Sequence, residues 1–387
     1  MKIPLAVPNL LGREAEYLQQ CITSTFVSSV GPFVDQFEAE IARLSGTAQA
    51  VVLCTGTTAL NMALEGLGIG AGDLVIIPSL TFIATANAVS HSGAQVWIAD
   101  VAMDTWTLDL ALVRRMIEAD TVPHAQGRLH VTSGRVLRAI MPVMVMGATL
   151  DFAAIVALAR EFGLRVVVDA AAAIGTRAAG DVAIAATGVD AVCYSFNGNK
   201  TVTCGGGGAI AAADAALVGR IRHLISTGRV GANYDHDIVA YNYRMTNVQA
   251  ALGLAQLERL DAFLARKAEL RDAYAAVAAR HNDLHAFPEP VFGKNGHWFS
   301  GFWYSGADVA RCDAFRVHMN AAGVDLRPFW KPIHLQKPYA QALATAMPVS
   351  EYLWQRLFPL PCSTHLSAAD LDQVVTAAEG FWALQDA

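Results

Sequence analysis

A large α/β domain on a mostly parallel sheet, with a smaller C-terminal α+β domain, is the architecture this 387-residue sequence predicts. Three observations point there. Short runs that are apolar along their whole length alternate with helix-like stretches through the first two-thirds, the pattern of strands buried on both faces. Hydrophobic residues make up 54% of the chain and charged residues 16%, enough for a large core. Beyond residue 258 the texture changes to aromatic strands and isolated helices. The boundary is placed there, giving domains 1–258 and 259–387.

The elements follow in order. Ala50–Leu53 reads as a strand, Thr58–Leu67 as a helix, Leu74–Ile77 as a strand, Phe82–His91 as a helix and Ala94–Ala99 as a strand. After a polar stretch, 121–135, Ala139–Val145 reads as a strand. Asp151–Phe162 reads as a helix with Asp151 as N-cap and Gly163 just past its end. Arg165–Asp169, Ala191–Phe196 and Gly208–Ala212 are strand-like. Leucines and other apolar residues at helical spacing predict one long helix over Thr246–Ala279. Trp298–Tyr304 reads as an aromatic strand, Ala307–Ala322 as a helix ended by Gly323, Arg327–Lys331 as extended and Ser367–Leu384 as a helix.

Several function classes are disfavoured. A net charge of −6 offers no electrostatic footprint for nucleic acid. No apolar run approaches the length of a membrane span, and the first residues, MKIPLAVPNLLGRE, lack the apolar stretch of a signal peptide. The six cysteines have no CxxC spacing and no paired histidines, so a metal site is not expected; buried thiols in a reducing cytoplasm are.

Candidate chemistry rests on three segments. The chain has only six lysines, at 2, 200, 267, 294, 331 and 337. Lys200 stands in a small, apolar region, after Ser195-Phe196-Asn197-Gly198-Asn199 and before four glycines. An amine can form a Schiff base when desolvation or a neighbouring cation lowers its pKa; a guanidinium cannot. A surface turn is the plainer reading of that lysine. Asp169 ends the apolar run Val166-Val167-Val168, where a carboxylate needs a partner. That partner is a backbone cap, an arginine or a protonated pyridine nitrogen. Thr55-Gly56-Thr57-Thr58 joins a strand to a helix, an anion site by its free amides, though helix capping accounts for Thr57 equally well. It lacks the spacing of a dinucleotide fingerprint or P-loop. Together, an anion cup, a strand-end acid and Ser-x-x-x-x-Lys in that chain order are the layout of a fold-type I pyridoxal-phosphate (PLP) enzyme.

At this point the sequence resembles the DegT/StrS-type nucleotide-sugar aminotransferases over nearly its whole length. The segments that carry the resemblance include VSSVGPFVDQFE, TGTTAL, GDLVIIPSLTFIATANAV, VVVDAA, SFNGNKTVTCGGGGAI, YNYRMTNVQAALGLAQLERLD and HLQKPY. SVGPFV and SFNGNK most resemble the branch acting on UDP-linked 4-keto-6-deoxy-N-acetylhexosamines. The resemblance implies PLP as cofactor, with Lys200 linked to it and moving protons. It implies Asp169 on the ring nitrogen, Phe82 stacked on the ring, and Gly56, Thr57, Thr58 and Ser195 around the phosphate. It further implies a homodimer with shared sites, Asn242 reaching the phosphate of the partner's cofactor. Substrates would be glutamate and a nucleotide sugar aminated at C4. Arg244 and His334 are candidate substrate contacts, with a salt bridge and a structural role as their alternatives. The Thr227–Asp237 loop and the Phe292–Phe302 region are expected to hold the sugar nucleotide. The sequence departs from the family at Ala172, where Glu, Gln or His is usual after Asp-Ala-Ala; Asn197 is a candidate to compensate. Rival readings are C3 amination or dehydration on the same scaffold, or a non-catalytic PLP-binding regulator.

Overall fold

In a computed structural model, which describes residues 2–383, the main sheet lies between two apolar layers. Its strands run in the order Ala50–Leu53, Gly208–Ala211, Ala191–Ser195, Arg165–Asp169, Val136–Ile140, Asp73–Pro78, Gln95–Ala99, Leu343–Ala344. From Ala191–Ser195 onward every neighbouring pair is parallel; Gly208–Ala211 runs antiparallel to both of its neighbours. Successive side chains of a strand point to opposite faces, so a strand covered on both faces must be apolar throughout. Val166 and Val168 enter one core cluster and Val167 the other.

A third cluster is built on a three-stranded antiparallel sheet of Leu284–Ala286, Gly301–Tyr304 and Leu357–Pro359. Helices Ala310–Ala321 and Ala368–Ala383 pack on it through Phe315, Phe381 and Trp382. The last part of the helix expected to reach Leu384 lies outside the described residues.

Three expectations change. The strand expected over Ala139–Val145 runs over Val136–Ile140, and in the polar stretch before it Thr121–His124 and Gly127–His130 form a hairpin attached to it. The long helix is two, Asn247–Leu257 and Leu260–Ala278, broken at Glu258 and Arg259. Leu254, Leu257 and Leu260 keep a helical spacing across the break, so periodicity passes over it. Polar ties to the N-terminal arm flank it: Gln256 Nε2 donates to Asn9 O (2.8 Å), Arg259 donates to Asn9 Oδ1 (3.1 Å), and Tyr17 donates to Glu258. The aromatic strand begins at Gly301, not Trp298, which frees Trp298 for another use.

Candidate active site

The carboxyl ends of the parallel strands open into a cavity of about 540 Å³. Its lining comes from both halves of the chain. Gly56, Thr57, Phe82, Asp169, Ser195 and Lys200 belong to the first; Trp298, Phe299, Arg327 and Trp330 belong to the second.

The anion cup starts from helix Gly56–Gly66. Thr55 is its N-cap: its hydroxyl accepts from Thr58 N (3.0 Å), and Thr58 Oγ1 in turn accepts from Thr55 N (3.2 Å). The N–H groups of Gly56 and Thr57 thus stand at the helix start with no intrahelical partner. Gly56 must be glycine. A Cβ there would come within 2.6 Å of Ser195 Cβ and 2.9 Å of its Oγ. This close approach sets Ser195 beside the helix start. Thr58 spends its hydroxyl on capping and does not line the cavity; Thr55 does.

Asp169 is 4% exposed and ends its strand as expected. Its Oδ2 accepts from Thr85 Oγ1 (2.7 Å) and its Oδ1 from Ala171 N (3.1 Å). Burial raises its pKa; the Thr85 and Ala171 bonds and the Lys200 ammonium act the other way. No arginine pairs with it among the described residues. Lys200 shows the converse: desolvation pushes its pKa down to about 8, against the pull of Asp169. Its Nζ has no hydrogen bond or ion pair among the described residues and lies 3.6 Å from the centroid of the Trp298 ring.

Phe82 is 53% exposed and forms a wall of the cavity, not part of the core. It meets Trp330 at 5.6 Å between ring centroids. Ala172 and Asn197 also line the cavity. Asn242 and Arg244 do not; Asn242 is exposed and pairs by backbone with Ser226, Arg244 with Leu53. His334 also stays outside, with Nδ1 against Ser79 Oγ (2.6 Å) and Nε2 against Glu351 (3.1 Å). The 227–237 loop contributes no lining residue, whereas the 292–302 region contributes Trp298 and Phe299.

The sequence profile of the DegT/DnrJ/EryC1/StrS aminotransferase family matches residues 9–379. The chain belongs to that family. This aminotransferase is 35% identical over 381 residues to the GDP-perosamine synthase of Caulobacter vibrioides, covering 98% of each chain. It is 33% identical to the GDP-perosamine synthase of Escherichia coli O157:H7, again over 98% of each. The crystal structure of a DegT DnrJ EryC1 StrS aminotransferase from Brucella abortus superposes with a TM-score of 0.86 at 26% identity, covering 96% of this chain and 95% of that one.

The aminotransferase uses PLP, as its family does, and its cavity suits that group. A helix start with two free N–H groups beside Ser195 matches a phosphate. A buried carboxylate without an arginine matches a protonated ring nitrogen. An amine with pKa about 8 matches a nucleophile. Sequence reasoning named none of Thr85, Asn199, Arg327 and Trp330, and reached Trp298 only as part of the 292–302 region. Only Thr85 left a signal, four residues after Thr81 in the segment around Phe82; the two hydroxyls are 2.9 Å apart.

Proposed function

We propose that this aminotransferase moves an amino group from glutamate to the C4 keto carbon of a nucleotide-linked 4-keto-6-deoxy sugar. The observation that carries the reading is the meeting of Lys200, Asp169 and the Gly56–Gly66 helix start in one cavity with an aromatic outer wall. Bound there, PLP supplies an electron sink and a temporary carrier of the amino group. Lys200 holds the cofactor covalently and, when free, gives and takes a proton at Nζ; a pKa of about 8 leaves both of its forms accessible near neutral pH. Asp169 keeps the ring nitrogen protonated, because opposite charges attract strongly where water is absent. Gly56, Thr57 and Ser195 hold the phosphate. Phe82 would cover the cofactor from the cavity wall and, with Trp330, limit the access of bulk water.

The active unit in this reading is a homodimer, with Asn242 lent to the partner's site; an exposed Asn242 outside its own cavity supports this. The division at residue 258, supported by the helix break there, puts the cavity between the two domains. Six free thiols suit a reducing cytoplasm. For the nucleotide, two relatives named GDP-perosamine synthase support a GDP-linked sugar. SVGPFV and SFNGNK support a UDP-linked N-acetylhexosamine. Similarity over 98% of the chain outweighs two short motifs, so GDP is the stronger reading.

Incubation of the enzyme with glutamate and GDP- or UDP-linked 4-keto-6-deoxy sugars, with the products read by mass spectrometry and NMR, tests both levels. A 4-amino product from the GDP sugar is expected. A product from the UDP sugar alone overturns the nucleotide assignment, and amination at C3 overturns the regiochemistry.

A further inference from the structure

Trp298 is 2% exposed and is held from every side. Its indole N–H donates to the carbonyl of Asn199 (2.7 Å), the residue before Lys200. Its own carbonyl accepts from the buried ammonium of Lys267 (2.8 Å), which also donates to Cys362 O (2.6 Å). Phe299 stacks on the ring at 3.9 Å between centroids, and Trp330 follows at 6.0 Å. The preceding residue, His297, has φ +46°, a left-handed backbone that a non-glycine residue adopts only when its surroundings impose it. A bond from Gly296 N to Gly147 O (2.8 Å) holds the turn. Against this fixed ring lies the Nζ of Lys200, 3.6 Å from the centroid.

We propose that Trp298 is a positioning residue for Lys200: its indole face holds the free ammonium in one place inside the cavity and stabilises its charged form. The inference rests on the role of Lys200 proposed above. A cation over an indole face gains most where it is desolvated, and this ammonium has no other partner among the described residues. The hydrogen bond to Asn199 O ties the ring to the lysine's own backbone, so ring and amine keep their register. Other charges bear on the amine less directly. Asp169, at the end of the neighbouring strand, favours the ammonium. Arg327, in the same cavity, is paired with Asp325 at 2.8 Å, Lys267 is spent on the Trp298 and Cys362 carbonyls, and His297 faces Glu289 at 3.4 Å.

The test reads the proton affinity of Lys200 in the full-length enzyme loaded with pyridoxamine phosphate, where the amine is free. Brief pulses of acetic anhydride across pH 6–10, followed by peptide mass spectrometry, follow the neutral amine at Lys200; exposed Lys331 serves as internal control. In the wild type, labelling should reach half-maximum below the ordinary lysine range, because burial disfavours the ammonium. In Trp298→Leu the midpoint should fall by about one pH unit, and in Trp298→Phe by less, because the weaker face stabilises the cation less. Lys331 labelling should not move. Midpoints unchanged or raised in both variants would overturn the proposal, and Trp298→Phe keeps the test open if Trp298→Leu does not fold. Failure of the underlying reading is separately visible. Loading with PLP should protect Lys200 from the reagent, and an unprotected Lys200 would reject its role whatever the midpoints.

Discussion

Replacing Thr85 with valine takes one hydroxyl away from a buried carboxylate, Asp169, and from the Thr81 hydroxyl 2.9 Å from it. Thr85 is 1% exposed, and its Oγ1 donates one of the two hydrogen bonds that Asp169 accepts, at 2.7 Å. A hydrogen bond to a charged buried group contributes about 2 kcal/mol. Losing it should raise the already elevated pKa of Asp169 further. The sign fixes the pH dependence. A pKa raised in the folded state gives stability at acid pH that is lost as pH rises through the folded pKa. The variant's deficit should therefore be smallest in acid, where only the Thr81 contact is missed, and grow by about 2 kcal/mol as pH rises through the folded pKa of Asp169. Urea unfolding of the cofactor-free full-length protein between pH 4.5 and 8 measures this, and turnover of the loaded enzyme should fall by about 10–100-fold in parallel. A deficit of the same size at every pH would refute the reasoning, since the hydroxyl would then be serving packing and not the carboxylate.

Asp169→Asn should still bind PLP, because the helix start is untouched, yet lose at least about 100-fold in turnover with any donor or sugar, as expected for removal of a preorganised charge; near-normal turnover would detach Asp169 from the ring nitrogen. Gly56→Ala places a Cβ 2.6 Å from Ser195 Cβ, so the helix start must shift at a cost of about 1–3 kcal/mol. Its affinity for PLP, read by absorbance titration, should fall about tenfold or more, and unchanged affinity would remove this helix start from the phosphate site. Mixing inactive Lys200→Ala and Asn242→Ala subunits under exchange should restore activity in part; verified exchange without rescue would speak against a shared site.

Much of the sheet was legible because a strand buried on both faces has to be apolar throughout, as Val166, Val167 and Val168 are. The same rule made Asp169 conspicuous, a carboxylate at the end of such a run. Asp151 announced a helix start by its capping chemistry, and that cap forms, whereas at the helix after the first strand the capping threonine is Thr55 and not Thr57. The break at Glu258 and Arg259 was hidden because apolar spacing continues through it while the flanking polar partners lie some 240 residues away. The hairpin at 121–130 was hidden because most of it is exposed or half-buried and carries little apolar alternation. The cavity wall was the least legible. Trp298 and Trp330 sit among aromatic residues that mostly build the third cluster, and no spacing separates a tryptophan that packs from one that faces an amine. Asn242 poses a different case, since its proposed partner lies in another copy of the chain.

Of the six lysines, the account stakes the chemistry on one. Reduction of the PLP-loaded enzyme with borohydride, followed by proteolysis and peptide mapping, records which amine the cofactor is bound to. The adduct should be found on the peptide carrying Ser195 to Lys200, at Lys200 alone, and should be absent after prior conversion with glutamate. An adduct at Lys331 or Lys337, or one that glutamate does not remove, would contradict the account.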